Sequence, residues 1–347
     1  MNTRDNSLDI LRFIGLVAIF MAHTFSSVAI LQTVCFDVTL LMLLSGASFA
    51  ITMERRNEFH WGDYMWKRIV RLVFPTWIFL AIYFGVCYAM HANVSPYHPL
   101  YSFTLLTEWY VWIIRVFLFI AALSPIILWQ DRLIKNNAVF VFISILFFAV
   151  FDICTNSCLI DFPSFEFINQ HIWQYLLYML IICIPYTMIY AIGFRIGRFS
   201  NKELCLYSIV LLTIFALMCF YKYQETGEFV RSDVDKYPPH MYYVSFTVGV
   251  SMILWRIRKP IEALVNKIPL MMSCVLFIGQ NTIWIYLWHV LILTMTKGIL
   301  NEPLRFVMVF VAAIIIYLVQ YSLVKNIVLP NIKNETTRKY INRIFCG

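Results

Sequence analysis

Long runs of apolar residues, separated by short polar breaks, are the feature that most restricts how this 347-residue chain can fold. Hydrophobic residues make up 61% of the chain and charged residues only 13%. A helix needs roughly 20 apolar residues to cross a bilayer, and soluble domains of ordinary composition do not reach this apolar fraction. The sequence therefore predicts an all-α, polytopic transmembrane helical bundle of about ten helices.

The apolar runs divide the chain into successive predicted spans, and these leave no room for a separate soluble domain. Residues 1–347 are therefore predicted to form a single transmembrane domain. The first run is longer than the apolar part of a signal peptide, so we interpret it as the first helix. The approximate spans are 8–29, 35–53, 69–90, 108–129, 137–153, 174–194, 204–222, 241–255, 270–295 and 305–325.

Lys and Arg residues in the connections predict that both termini are cytoplasmic, because cytoplasmic loops carry an excess of these residues. The predicted outer side keeps only Lys222, Arg231, Lys236, Lys297 and Arg305. The net charge of +8 is explained by this bias. Since the basic residues are spread over separate short loops, no nucleic-acid partner is expected.

The nine cysteines show no C-x-x-C pair and lie mostly within predicted spans, where cysteine behaves as a small apolar residue. No metal site is predicted from them. Cys154 and Cys158, on a predicted outer loop, are the two that could form a disulfide.

Ionisable residues inside the predicted spans are functional candidates, because each costs about 2.5–3.5 kcal/mol to insert. Arg12 and His23 are eleven residues apart in the first span. They should share one helical face, separated by about 16 Å along the axis. Arg12 could instead snorkel to inner headgroups or pair with Asp9, and His23 could be a hydrogen-bonded core residue.

A second buried histidine, His289, lies in the ninth predicted span, within the run "GQNTIWIYLWHVLI". The same run places Asn281 and Tyr286 before it on the helix. Both the first and the ninth span are predicted to run from inside to outside. We therefore expect His23 and His289 to lie at comparable depths in the membrane.

Other polar groups within the predicted spans each allow two interpretations. Ser45, beside Gly46, could form a polar notch or could mark simple close packing of helices. Glu108 and Arg115 are seven residues apart, and they could form an internal ion pair or line a polar pocket.

Two arginines at the start of the third span, Arg68 and Arg71, are three residues apart and should share one face of the helix. Guanidinium groups offer forked donors that suit phosphate binding. The alternative is an ordinary cluster of cytoplasmic positive charge.

Taken together, these stretches resemble the integral-membrane acyltransferase 3 family over almost the whole chain. The resemblance rests on Arg12 and His23 with ten residues between them, on Ser45-Gly46, on "KRIVRLVFPTW" and on the late "IYLWH". The segment 236–246, "KYPPHMYYVSF", is similar to members that modify bacterial surface glycans. We expect the stand-alone transmembrane form of the family.

The resemblance implies transfer of an acyl group, usually acetyl from acetyl-CoA, to a hydroxyl of an extracytoplasmic or lipid-linked bacterial glycan. It also implies a place in the bacterial cytoplasmic (inner) membrane, among membrane lipids. The alternative class is a proton-coupled secondary transporter or flippase, since such carriers also use buried charges and midplane histidines.

Within the acyltransferase interpretation, Arg68, Arg71 and Arg12 would meet the cytoplasmic CoA, and His23 would act as general base. The thioester oxygen needs hydrogen-bond donors as it gains negative charge. The candidate donors are Ser45, Asn281, Tyr286 and His289. Instead of donating, His289 could carry a transient acyl group.

Overall fold

The computed structural model describes residues 5–55, 58–92, 95, 97–107, 109–156, 172–296 and 298–346. Over these residues the chain is helical, and the β-type pairing is limited to an isolated bridge between Lys236 and Pro239. The prediction of an all-α, polytopic helical bundle is confirmed.

The α-helices are numbered here in chain order. They are α1 (Asn6–Thr24), α2 (Val28–Val34), α3 (Asp37–Glu54), α4 (Trp61–Ala89), α5 (Tyr97–Phe103), α6 (Trp112–Ala122), α7 (Ser124–Leu133), α8 (Asn137–Asn156), α9 (Ile172–Arg195), α10 (Asn201–Thr226), α11 (Met241–Arg256), α12 (Arg258–Val265), α13 (Pro269–Gln280), α14 (Thr282–Met295), α15 (Glu302–Leu323) and α16 (Glu335–Phe345).

Among the described residues, seven helices are long and apolar enough to cross a membrane, or up to nine if each of two bent pairs counts as one span. The ninth predicted span, 270–295, is broken at Asn281, where α13 and α14 meet at an 84° bend. The fourth, 108–129, is interrupted at Leu123, between the end of α6 and the start of α7. The first predicted span, 8–29, ends earlier in the structure, at Thr24. The helix at the eighth predicted span, α11, has only 16 residues.

The chain forms two compact units. Unit 1 contains residues 1–30, 60–122 and 260–347. In it α1 packs against α13, and α14 packs against α15 and α4. Unit 1 therefore holds both helices that carry the predicted histidines.

Within unit 1, hydrogen bonds link the C-terminal helix α16 to α14 and α15. The indole N–H of Trp284 donates to the carbonyl of Ile344 at 2.7 Å. Gln320 accepts from the indole N–H of Trp288 at 2.8 Å and donates to the carbonyl of Phe345 at 3.2 Å. These bonds tie α14, α15 and α16 together.

Unit 2 contains residues 31–59 and 123–259. Its strongest packing joins α3 to α9 and α10 to α11. A Cβ added to Gly46 would overlap the carbonyl oxygen of Tyr190, and one added to Gly193 would overlap that of Leu43. The small residue at Gly46 therefore serves close packing of α3 on α9, which was one of the two interpretations of the Ser45-Gly46 notch.

The break at Asn281 is satisfied by side chains within unit 1. The Asn281 amide donates to the carbonyl of Phe277 at 2.7 Å, and its oxygen accepts from the Tyr317 hydroxyl at 2.6 Å. Interrupted backbone at membrane depth is tolerated where it is buried in protein or lines a water-filled cavity, and here protein groups replace the lost bonds. Just before the break, a Cβ on Gly279 would overlap the carbonyl oxygen of Asp9, so α13 and α1 touch through their backbones.

This contact predicts the effect of a single methyl group. We expect Gly279→Ala to lower the free energy of unfolding by about 3 kcal/mol, because the backbone of α1 must move to admit the methyl. A matched control is Gly85→Ala, in α4, where nothing lies within 4 Å of an added Cβ. That variant should be slightly stabilised, by about 0.5–1 kcal/mol. Thermal unfolding in detergent measures both, and equal melting temperatures would contradict the prediction.

Candidate active site

His23 and His289 meet in unit 1, near the C-terminal end of α1 and in the second half of α14. Nδ1 of His23 lies 3.0 Å from Nε2 of His289. The rings are nearly parallel, with their planes 7° apart and their centroids separated by 5.2 Å. The residues are 266 positions apart in the sequence, so the fold alone creates this contact.

The hydrogen bonds fix where the protons sit when both rings are neutral. Nδ1 of His289 bonds to the backbone carbonyl of Tyr286, and a carbonyl can only accept. His289 therefore carries its proton on Nδ1 and presents a lone pair at Nε2. That lone pair accepts from Nδ1–H of His23, which leaves the lone pair of His23 on its Nε2.

The two histidines differ in how deeply the surrounding aromatic rings bury them. His289 is fully buried, and Phe20 stacks on it with centroids 4.5 Å apart. His23 is half-buried and meets the Tyr110 ring edge-on at 4.9 Å. His23 is thus the more accessible member of the pair.

Arg12 forms an ion pair with Asp9, which is one of the alternatives predicted for it from the sequence. Its Nη1 lies 2.5 Å from Asp9 Oδ1, with the arginine side chain 26% exposed and the aspartate 1%. Asp9 also accepts from the Gln280 amide at 3.3 Å. The buried carboxylate holds the guanidinium at the α1–α13 contact while part of the arginine stays accessible.

Two of the residues predicted to donate to an oxyanion have other partners. The hydroxyl of Tyr286 donates to the backbone carbonyl of Tyr110. Asn281 makes the two bonds that satisfy the helix break. Both residues therefore shape the surroundings of the histidine pair.

The predicted phosphate-binding arginines lie along α4 in unit 1. Arg68 is half-buried, with its guanidinium 5.1 Å from the centroid of the Tyr64 ring, and Arg71 is exposed. Ser45 lies on α3 in unit 2 and is half-buried.

The side chain of Arg115, on α6, bonds to the backbone of the segment before that helix. Its Nη1 donates to the carbonyls of Leu105 at 2.7 Å and Thr107 at 3.2 Å. Glu108 lies outside the described residues, as does Cys158 of the predicted disulfide.

A buried ion pair in unit 2 was not predicted from the sequence. Lys236 Nζ lies 3.2 Å from Asp37 Oδ1, with side chains 13% and 3% exposed. Burial alone would lower the pKa of Lys236, but the Asp37 carboxylate raises that pKa well above its usual value. The signal was available, because Asp37 is an acid within a predicted span and needs a cation.

Further polar pairs in unit 2 tie helix ends together. Asp152 bonds to the His240 ring at 2.9 Å and to the backbone N–H of Met241, at the start of α11. Asp131 pairs with Arg195 and Arg198, each at 2.8 Å. In the part of the chain that the structure describes, no group of three or more His, Cys, Asp or Glu residues is placed to hold a metal.

Long apolar helices and a contact between two histidines on separate helices are the features of a polytopic membrane protein with a polar centre in its interior. A family model described as an acyltransferase domain matches residues 5–323 of the 347. The chain belongs to this family, the acyltransferase 3 family, and is a membrane acyltransferase. Comparison with curated proteins and with solved structures found no match.

The buried ion pair of unit 2 gives a prediction about stability. We expect Lys236→Met to cost about 3–5 kcal/mol, because it leaves the Asp37 carboxylate buried without its cation. The double variant Asp37→Asn with Lys236→Met should recover much of that loss. The matched control is Lys222→Met, whose pairing with Asp235 is also 3.2 Å but is 28% and 25% exposed; it should cost less than about 1 kcal/mol.

Thermal unfolding of the purified variants in detergent measures these differences. A double variant no more stable than Lys236→Met alone would show that the cost does not come from the stranded carboxylate.

Proposed function

We propose that this acyltransferase moves an acetyl group from cytoplasmic acetyl-CoA to a hydroxyl of an extracytoplasmic or lipid-linked bacterial glycan, in the bacterial inner membrane. The observation that carries the proposal is the 3.0 Å contact between His23 Nδ1 and His289 Nε2. It orients a basic nitrogen on a partly accessible histidine, as an acyl transfer to a hydroxyl requires.

The proton balance follows from the tautomers. Nε2 of His23 takes the proton of the acceptor hydroxyl as its oxygen attacks the thioester carbonyl. The C–S bond then breaks, and the CoA thiolate takes the proton from His23. The products are the acetyl ester and CoA with a free thiol, and His23 returns to its neutral form.

His289 acts as a positioning residue in this scheme. Its Nε2 holds Nδ1–H of His23 in place and stabilises the imidazolium that forms, as the third member of a catalytic triad orients its histidine. Both nitrogens of His289 are hydrogen-bonded, one to His23 and one to the Tyr286 carbonyl. This supports direct transfer rather than an acyl group carried on His289.

The donor side would use the arginines of α1 and α4. CoA is anionic, and its phosphates suit the guanidinium groups of Arg68 and Arg71. Arg12 lies on the same helix as His23, and the axial rise between them is about 16 Å. An extended pantetheine arm matches that length and would bring the thioester to His23.

One observation favours the alternative class. The sharp break at Asn281 between two half-helices resembles the discontinuous helices of secondary transporters. Family membership favours acyl transfer. Consumption of acetyl-CoA by the purified protein separates the classes, because a carrier would leave the thioester intact.

Removal of the base tests the mechanism. We expect His23→Ala to lower kcat by about 10²–10⁴-fold with little change in the KM for acetyl-CoA. His289→Ala should lower kcat by at least about tenfold, and His289→Gln should restore part of it, since its amide oxygen can accept from His23. Acetyl transfer from radiolabelled acetyl-CoA in nanodiscs measures the rates, and full activity of His23→Ala would contradict the proposal.

A trapping experiment addresses the route of the acetyl group. Without acceptor, wild-type protein incubated with radiolabelled acetyl-CoA should carry no covalent label. Label that appears on the wild type and is absent from His289→Ala would establish an acyl-histidine instead.

Loss of the phosphate-binding arginines should affect only the charged donor. We expect Arg68→Ala and Arg71→Ala each to raise the KM for acetyl-CoA about tenfold, the equivalent of about 1.4 kcal/mol. The KM for S-acetylpantetheine, which lacks the phosphates, should stay unchanged. Lys267→Ala, an exposed lysine on the same predicted side, is the control, and equal effects on both donors would contradict the assignment.

A further inference from the structure

We propose that Trp109, together with Tyr83, Phe84 and His98, forms an acceptor subsite that binds one pyranose ring of the glycan. The inference rests on the proposed transfer to a glycan and names where the acceptor sugar lies. It concerns residues of unit 1 that the polar and charged motifs of the sequence did not indicate.

A continuous series of ring contacts leads away from the base. The His23 ring meets Tyr110 at 4.9 Å, and Tyr110 meets Trp109 at 5.3 Å. Trp109 in turn meets Tyr83 at 4.7 Å and His98 at 5.2 Å. A ring held on Trp109 would therefore lie one aromatic side chain away from the general base.

The subsite lies where an extracytoplasmic acceptor would enter. Tyr83 and Phe84 are close to the C-terminal end of α4, and His23 is close to that of α1. Both ends are on the predicted outer side. Trp109, Phe84 and His98 are half-buried, so they present surface without being part of the closed core.

The side chains match the chemistry of a sugar. A pyranose has an apolar face of axial C–H bonds, which the negative face of an aromatic ring attracts. Its hydroxyls need polar partners, and the half-buried His98 places its ring nitrogens beside Trp109. Burial lowers the pKa of His98, so near neutral pH its neutral ring offers one donor and one acceptor nitrogen.

The backbone that carries Trp109 is held from two sides. Arg115 donates to the carbonyls of Leu105 and Thr107, and Leu105 has the left-handed φ of +60° that a side chain rarely adopts. From the other side, Tyr286 donates to the carbonyl of Tyr110. The left-handed backbone at Leu105 has a conformational cost, and these hydrogen bonds hold it in place. A backbone segment held in this way suits a preformed binding site.

Sugar binding can be measured without the donor. Saturation-transfer NMR on the full chain in nanodiscs, with methyl β-D-glucopyranoside as the probe and sorbitol as the acyclic control, reports which protons touch the protein. We expect transfer to the axial ring protons in wild type and little to sorbitol. Trp109→Leu should reduce it by about tenfold, while Trp109→Phe should retain most of it.

Trp129→Leu is the matched control, because Trp129 is 62% exposed and lies in unit 2. It should bind the pyranoside like wild type. The subsite is overturned if wild type gives no transfer, if Trp109→Leu and Trp129→Leu lose the signal equally, or if sorbitol receives as much saturation as the pyranoside.

A second measurement separates this inference from the proposed function. Acetylation of the same pyranoside from acetyl-CoA should show a raised acceptor KM for Trp109→Leu and an unchanged KM for acetyl-CoA. Sugar binding that depends on Trp109 without any consumption of acetyl-CoA would uphold the subsite and reject the acetyl donor. Acetyl transfer with the same acceptor KM in wild type and Trp109→Leu would uphold the acetyl donor and reject the subsite.

Discussion

Backbone hydrogen bonds that are interrupted inside a membrane must be replaced by bonds to protein groups or water, and unit 1 is organised around one such interruption. Asn281 supplies the replacement at the junction of α13 and α14. Just before the junction, the backbone contact of Gly279 with Asp9 fixes α13 against α1. Because α14 starts from this fixed point, its direction is set relative to α1, and His289 reaches His23.

The histidine pair and the ion pairs show two ways of keeping polar groups in an apolar interior. Asp9 with Arg12, and Asp37 with Lys236, each bury a carboxylate beside a cation. The imidazoles need no opposite charge, since a neutral ring has one donor and one acceptor; His289 uses both, and His23 donates from Nδ1. The first arrangement is fixed, whereas the second can accept a proton and return it, which suits a reaction centre.

Much of the fold could be predicted from the sequence because lipid imposes a strong requirement on helix length and polarity. The same requirement made Arg12, His23 and His289 conspicuous as polar residues in apolar runs. The bend at Asn281 was not predicted, since a helix continuing through polar residues and a helix ending there have similar local composition.

The neighbours of His23 in space were harder to foresee. Trp109 and Tyr110 look like ordinary interfacial aromatics, and only the folding of the segment before α6 places Tyr110 against the imidazole. Tyr286 and Asn281 were expected to face a substrate. Their hydrogen bonds to Tyr110 and Tyr317 depend on long-range packing, which local sequence patterns do not encode.

The fastening of α16 has a consequence for the chemistry. The family match ends at residue 323, yet the tail beyond it is bonded to Trp284 and, through Gln320, to Trp288, the immediate neighbour of His289. Proteolytic trimming of the tail, or a bulky fusion that displaces it, would remove the hydrogen-bond acceptor of Trp284, on the helix that carries His289, and that of Gln320, on α15. The C-terminal helix α16 is thus linked by hydrogen bonds to the helix that carries His289.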